Sequence, residues 1–119
     1  MQKVLVVDDD RDILTVVSLI LKTNGFDVMT LSSGKDVIQS AKTYEPGLVL
    51  LDIWLGDHNG KELCREIKSD EQIKDIPVML FSAKIVDLGE VARCGAADFI
   101  QKPFDVGHLV DTIKRHIKS

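Results

Sequence analysis

Two patterns of apolar residues alternate along this chain. Val4-Leu5-Val6-Val7 and Leu48-Val49-Leu50-Leu51 are bare apolar runs, and each stops at carboxylates: Asp8-Asp9-Asp10 after the first, Asp52 after the second. Short unbroken runs bounded by turn residues, here Pro46-Gly47 before the second run and Gly56 and Gly60 after it, predict strands buried on both faces. Phe26 to Leu31, Ile76 to Phe81 and Ala97 to Gln101 predict three more strands, with Pro77 near the start of one, a tolerated position. Between the strands the spacing turns helical. Ile13, Val16, Val17 and Ile20, widened by Leu14 and Leu21, form one stripe that Asn24-Gly25 stops. Ser33 and Asp36 resemble a capping box ahead of Val37, Ile38 and Ala41. Asn59 with Glu62 can cap a helix that buries Leu63, Cys64 and Ile67. Asp87 to Cys94 allows at most about two turns, and its Gly89 costs roughly 1 kcal/mol relative to alanine. Asp105 starts a last helix with Val106, Val110, Ile113 and Ile117 on one face, and Lys114, Arg115 and Lys118 suit the dipole at its end.

Strand and helix therefore alternate five times. That order predicts an α/β fold, a parallel sheet between two helical layers with right-handed crossovers. A length of 119 residues fits one domain over 1–119 with a real core. The net charge of −4 provides no global basic surface of the kind that binds nucleic acid. No apolar run approaches the roughly 20 residues of a membrane span. Asp8, Asp9 and Asp10 come too early for a signal peptide, so a cytoplasmic location is expected. Cys64 and Cys94 have no CxxC or histidine at metal spacing, and read as small buried hydrophobes in a reducing compartment. His58, His108 and His116 are expected to be exposed, with no partner suggesting catalysis.

Ligands of such folds bind at the carboxyl ends of the strands. In a parallel sheet those ends share one edge, so Asp8 and Asp9, Asp52, Ser82 and Lys102 converge there. Each has a bland alternative: Asp10 and its neighbours can cap a helix, Ser82 can be a turn hydroxyl, Lys102 a surface lysine before Pro103. All five falling at strand ends is hard to explain that way. Three clustered carboxylates repel one another, and one divalent cation together with Lys102 neutralises them. Oxygen ligands alone favour a hard ion such as Mg²⁺ or Ca²⁺. Metal and lysine side by side suit charge stabilisation on a phosphoryl group. Asp52, on the central strand, is then the natural nucleophile, forming an acyl phosphate, with Asp8 and Asp9 holding the metal.

With those residues in view, the chain resembles the receiver domain of two-component response regulators, the chemotaxis Y-protein-like group, from Lys3 to about Ile117. The matching pieces are Val4 to Asp10, Leu48 to Asp52, Asn59-Gly60, Pro77 to Lys84 and Gly95 to Phe104. The resemblance implies a flavodoxin-like (βα)5 sheet of order 2-1-3-4-5. It implies that Asp52 accepts phosphoryl from a phosphohistidine on a sensor histidine kinase or phosphotransfer protein. Asp9 binds Mg²⁺ directly and Asp8 through water, and the Trp54 backbone carbonyl is a further ligand. Lys102 pairs with phosphoryl oxygens, and Ser82 moves to bond the phosphate while Phe99 swings into the space it leaves. The Lys102-Pro103 peptide is cis. The protein is then a phosphoprotein switch and not an enzyme, catalysing only its own phosphorylation and dephosphorylation. Phosphorylation raises the charge at Asp52 to about −2 and biases a surface of the fourth helix, fifth strand and fifth helix toward an unknown protein target or a phosphorylation-dependent homodimer. No direct nucleic-acid or membrane contact is expected.

Gly56, Asn59 and Gly47 depart from common family residues at loop positions. The segment from Ser82 to Gly95 is shorter than usual, and Trp54 is a bulky neighbour for the nucleophile. Three other functions compete. An Mg²⁺-dependent aspartyl-phosphate phosphatase needs an acid where Trp54 stands. A flavodoxin-like cofactor binder needs a phosphate loop where Asp8-Asp9-Asp10 would repel phosphate. A degenerate receiver used as an interaction module would lack the site residues.

Overall fold

The structure is a computed structural model describing residues 2–56 and 58–118; Met1 and Ser119, the ends of the expected 1–119 domain, and Asp57 in the expected loop lie outside them. Five strands form one parallel sheet: β1 Lys3–Val7, β2 Asp27–Leu31, β3 Leu48–Asp52, β4 Val78–Ser82 and β5 Asp98–Gln101. Counted this way, their order across the sheet is 2-1-3-4-5, as expected. The intervening helices are α1 Arg11–Thr23, α2 Val37–Tyr44, α3 Gly60–Ser69, α4 Leu88–Arg93 and α5 Val106–His116.

The bare apolar runs are explained by two cores, one on each face of the sheet. Leu5, Val7, Val49, Leu51, Val78 and Leu80 pack against α2, α3 and α4 through Val37, Ala41, Leu63, Ile67 and Val91. The alternate residues Val4, Val6, Leu48, Leu50, Met79 and Phe81 pack against α1 and α5 through Leu14, Val17, Leu21, Leu109 and Ile113. Successive strand side chains point to opposite faces, so a strand covered on both sides must be apolar throughout. At the edge β3 ends in a carboxylate, Asp52, which is still buried but reaches polar partners beyond the apolar layers, the Trp54 N–H and Lys102.

Helix ends follow the sequence in most places. Asp10 accepts from the N–H groups of Asp12 and Ile13 at the start of α1. Asn59 accepts from Lys61 N–H, and Asp105 from His108 N–H. Gly25, with φ of 89°, takes the left-handed turn after α1 that a side chain resists. The expected capping box before α2 does not form. Ser33 Oγ accepts from Lys35 N–H at 3.1 Å in a local turn, and α2 starts later, at Val37, without a side-chain cap on its first turn. Serine commonly bonds its own backbone two residues on, which competes with capping.

Beyond β3 the chain is more ordered than the loop expected there. Trp54–Leu55 pairs antiparallel with His58–Asn59 in a two-residue ribbon. The cysteines are free and buried, and they meet: Cys64 Sγ donates to the Cys94 carbonyl at 3.3 Å. Burial, with Cys94 alongside, pushes the Cys64 thiol up to about 12, so it stays protonated and inert. The three histidines are not all exposed. His108 is exposed, but His58 is half-buried, and the half-buried His116 ring lies 3.0 Å from Asp98 Oδ2. Among the described residues no helix is long and apolar enough to cross a membrane.

Candidate functional site

The carboxyl edge of the sheet gathers the residues expected there. β1 and β3 are neighbours in register, Val7 beside Leu51, so Asp8 and Asp52 leave the core side by side. Asp8 is fully buried, Asp52 is 6 % exposed and Asp9 is exposed. One carboxylate oxygen from each lies within 4.8 Å of the other two. Lys102, on the connection after β5, reaches back across the edge. Its ammonium group is 2.6 Å from Asp8 Oδ2 and 3.5 Å from Asp52 Oδ2, and it stands over the Phe81 ring, 4.4 Å from the centroid. The Lys102-Pro103 peptide is cis.

The backbone fixes the acids. Asp8 Oδ1 accepts from Asp10 N–H at 2.9 Å, and Asp52 Oδ1 from Trp54 N–H at 3.2 Å. Gly60 closes in from behind: its N–H donates to Ile53 O at 2.7 Å. A Cβ at Gly60 would collide with the Asp52 carbonyl. Only glycine lets α3 begin this close to the Asp52 backbone, which gives the Asn59-Gly60 pair a physical reason.

The electrostatics are those of a site built for a cation. Burial, and then the charge of Asp8, raise the Asp52 carboxyl to about 6, against the opposing pull of Lys102 and the Trp54 N–H. Lys102 alone therefore leaves negative charge uncompensated, and the donors are all hard oxygens. Such a set fits a hard divalent cation that binds few carboxylates and keeps waters, as Mg²⁺ does. The acid triad is thus a metal-coordinating cluster of the kind that a hard cation occupies.

The remaining expected residues are placed as follows. Ser82 ends β4 fully buried, and its Oγ accepts from Lys84 N–H at 3.0 Å. Phe99, on β5, is half-buried against the core on the α3 and α4 side. Trp54 follows Asp52 by two residues, with its side chain 44 % exposed. Two features were not foreseen. Lys84 lays its ammonium group over the Trp54 ring, 4.6 Å from the centroid, and Lys102 makes its shorter contact with Asp8. No periodicity signals either, since both join residues from separate strand ends.

A doubly wound parallel sheet with an acid triad and a lysine at its carboxyl edge defines a class: α/β proteins with a cation-ready site at the strand ends. The family model for the response regulator receiver domain matches residues 4–114, and the chain belongs to that family. Membership places it among phosphorelay response regulators, which act as signalling switches and not as turnover enzymes. Among solved structures it is similar to the chemotaxis protein CheY4 of Vibrio cholerae, at 26% identity over 98% of this chain and 99% of that one, with a TM-score of 0.91. It is similar also to the receiver domain of the sensor histidine kinase PA1611 of Pseudomonas aeruginosa, at 27% identity over 99% and 98% of the two chains and a TM-score of 0.88. That structure has a magnesium ion coordinated in its active-site cleft. The BeF3-activated N-terminal receiver domain of Klebsiella pneumoniae RstA matches at 27% identity, 99% and 100% coverage and a TM-score of 0.89.

Proposed function

We propose that this protein is a phosphorylation switch in which Asp52 accepts a phosphoryl group from a phosphohistidine on a sensor histidine kinase or phosphotransfer protein. The observation that carries this reading is the triad of Asp8, Asp9 and Asp52 within 4.8 Å, with Lys102 touching two of its members. Receiver domains of sensor histidine kinases among the similar structures support a histidine kinase as donor. An Asp52 carboxylate oxygen attacks phosphorus, the P–N bond to the histidine breaks, and its electron pair stays on the imidazole. Asp8, Asp9, Asp52 and the Trp54 carbonyl would hold Mg²⁺. Bound there, the cation neutralises the carboxylates and stabilises charge on the phosphoryl oxygens.

Lys102 is placed to follow the charge. It already sits between Asp8 and Asp52, and a phosphoryl group on Asp52 gives it oxygens bearing more charge than a carboxylate. Ser82 has a hydroxyl that can turn from its Lys84 contact to donate to the phosphate, and Phe99 lies on the neighbouring strand, ready to repack. This pair biases the face formed by α4, β5 and α5, where a protein target or a second copy would bind.

Trp54 is the only tryptophan and reports on the site directly. Its fluorescence is expected to change with Mg²⁺ and again with beryllium fluoride, and acetyl phosphate should leave acid-labile phosphate on the protein. Asp52→Asn should abolish the second and third responses. No acid-labile phosphate on the wild-type protein would sink the reading, and sustained turnover of a phosphate ester would favour a phosphatase instead.

A further inference from the structure

α4 is held to its neighbour α3 near both of its ends. Near its start, Glu90 meets the Lys61 ammonium group at 2.5 Å, with the lysine side chain 19 % and the glutamate 44 % exposed. At its finish, the carbonyl of Cys94, the C-cap residue, accepts from Cys64 Sγ at 3.3 Å. Lys61 and Cys64 are three residues apart on α3, and Glu90 and Cys94 are four apart on α4, so each pair of positions lies on one helix face. The two ends differ in kind. The Cys94 end is buried, and Gly95 turns the chain there with φ of 91°. The Glu90 end is an ion pair at the rim. The other charged contact of α4, Arg93 with Asp87 at 3.9 Å, stays within the helix and its cap.

Lys61 is also tied to the acid site. Its N–H donates to Asn59 Oδ1 at 2.8 Å, and the residue before it, Gly60, lies against the Asp52 carbonyl. The start of α3 is therefore built on the backbone of Asp52 and is fixed independently of α4. α4 reaches the site only through residues 83–87, which follow Ser82 at the end of β4. A pull on Ser82 is delivered to α4 at the Glu90 end, where Lys61 holds it.

We infer that the Lys61–Glu90 ion pair latches α4 in its unphosphorylated position, so that Lys61 is a positioning residue that opposes phosphorylation at Asp52. The inference rests on Asp52 being the phosphoacceptor. In this structure Ser82 Oγ is engaged by the Lys84 N–H, and the ion pair belongs to that arrangement. An ammonium group and a carboxylate 2.5 Å apart are already at closest contact, so displacing one helix end from the other weakens the pair. Turning Ser82 toward a phosphoryl group on Asp52 draws on the connection to α4, and the latch resists it. By linkage, whatever the pair adds to the resting arrangement it subtracts from binding at Asp52.

Beryllium fluoride with Mg²⁺ stands in for the phosphoryl group, and Trp54 fluorescence reads its affinity. Lys61→Met and Glu90→Gln should each raise that affinity about 1.5- to 5-fold, the span expected of a partly exposed ion pair. The two variants change the charge of the protein in opposite senses, so a rise in both cannot come from long-range attraction or repulsion of the anion. The double variant should bind no more tightly than the stronger single one, because the pair acts as a unit. Lys61→Arg, which keeps the charge, should stay at the wild-type affinity. Hydrogen exchange in the free proteins should quicken across α4 in both single variants and stay unchanged in β1 and β3, which separates a released helix from a loosened fold. Affinities at or below wild type, shifts of opposite sign, additive gains in the double variant or unchanged exchange in α4 overturn the latch and leave the phosphoacceptor standing. A wild type that does not bind beryllium fluoride overturns both.

Discussion

Removing the charge at Asp52 tests the electrostatics of the site without any phosphodonor. Asp52→Asn keeps the size of the side chain and an oxygen for the Trp54 N–H, and deletes the negative charge that Asp8 opposes. The Asp52 carboxyl rises from 3.8 to about 6 on folding, through burial and then Asp8. A carboxyl raised in the folded state contributes stability that is full below its unfolded value and is lost as pH rises through its folded value. Ionised Asp52 therefore costs the cation-free protein up to about 3 kcal/mol above pH ~6. Partial relaxation makes about 1–3 kcal/mol the expected gain from Asp52→Asn at pH 8 in a chelator, or roughly 4 °C in Tm per kcal/mol. At pH ~4.5 the wild type recovers about 2 kcal/mol of the loss, so the advantage of the variant should shrink by that amount. Urea unfolding followed by circular dichroism at the two pH values measures both. Mg²⁺ should then reverse the ranking at pH 8, because it stabilises the wild type by mass action and the variant much less. An advantage that does not change between the two pH values, or equal stabilisation of both proteins by Mg²⁺, would refute the account.

Other outcomes follow from single contacts. Gly60→Ala forces a methyl group against the Asp52 carbonyl; a loss of about 1–3 kcal/mol is expected in urea unfolding, together with weaker Mg²⁺ binding in a Trp54 titration. At Asp98, burial pushes the carboxyl up, but the Phe99 N–H, His116 and Arg115 outweigh it and hold it below the ordinary value. That stability is present above the unfolded value and is lost as pH falls through the folded one. Asp98→Asn should therefore cost up to about 1 kcal/mol at pH 7, solvent screening included, and progressively less as pH falls below the ordinary carboxylate range, with a loss that does not shrink on acidification counting against it. α4 is six residues long, carries Gly89 and has one buried side chain, Val91. Its amides should exchange sooner than those of β1 and β3, and equal protection in hydrogen-exchange mass spectrometry would contradict this.

The residues themselves determined the architecture and most of the site. Runs such as Val4 to Val7 and Leu48 to Leu51 are apolar because two helical layers need both faces of each strand, and that need is written locally, residue by residue. Parallel order then puts every strand's carboxyl end on one edge, so Asp8, Asp52, Ser82 and Lys102 could be grouped before any distance was known. The capping box at Ser33 misled because serine can satisfy its own turn as well as a helix end, and local pattern does not say which. Only the tertiary structure decided what crosses between elements. That Lys102 leans on Asp8 more closely than on Asp52, that His116 folds onto Asp98, that Cys64 meets Cys94 and that Lys84 covers Trp54 all depend on side-chain reach across neighbouring chain exits. Those contacts have no period in the sequence, because the distance that makes them is set by sheet spacing and helix length and not by separation along the chain.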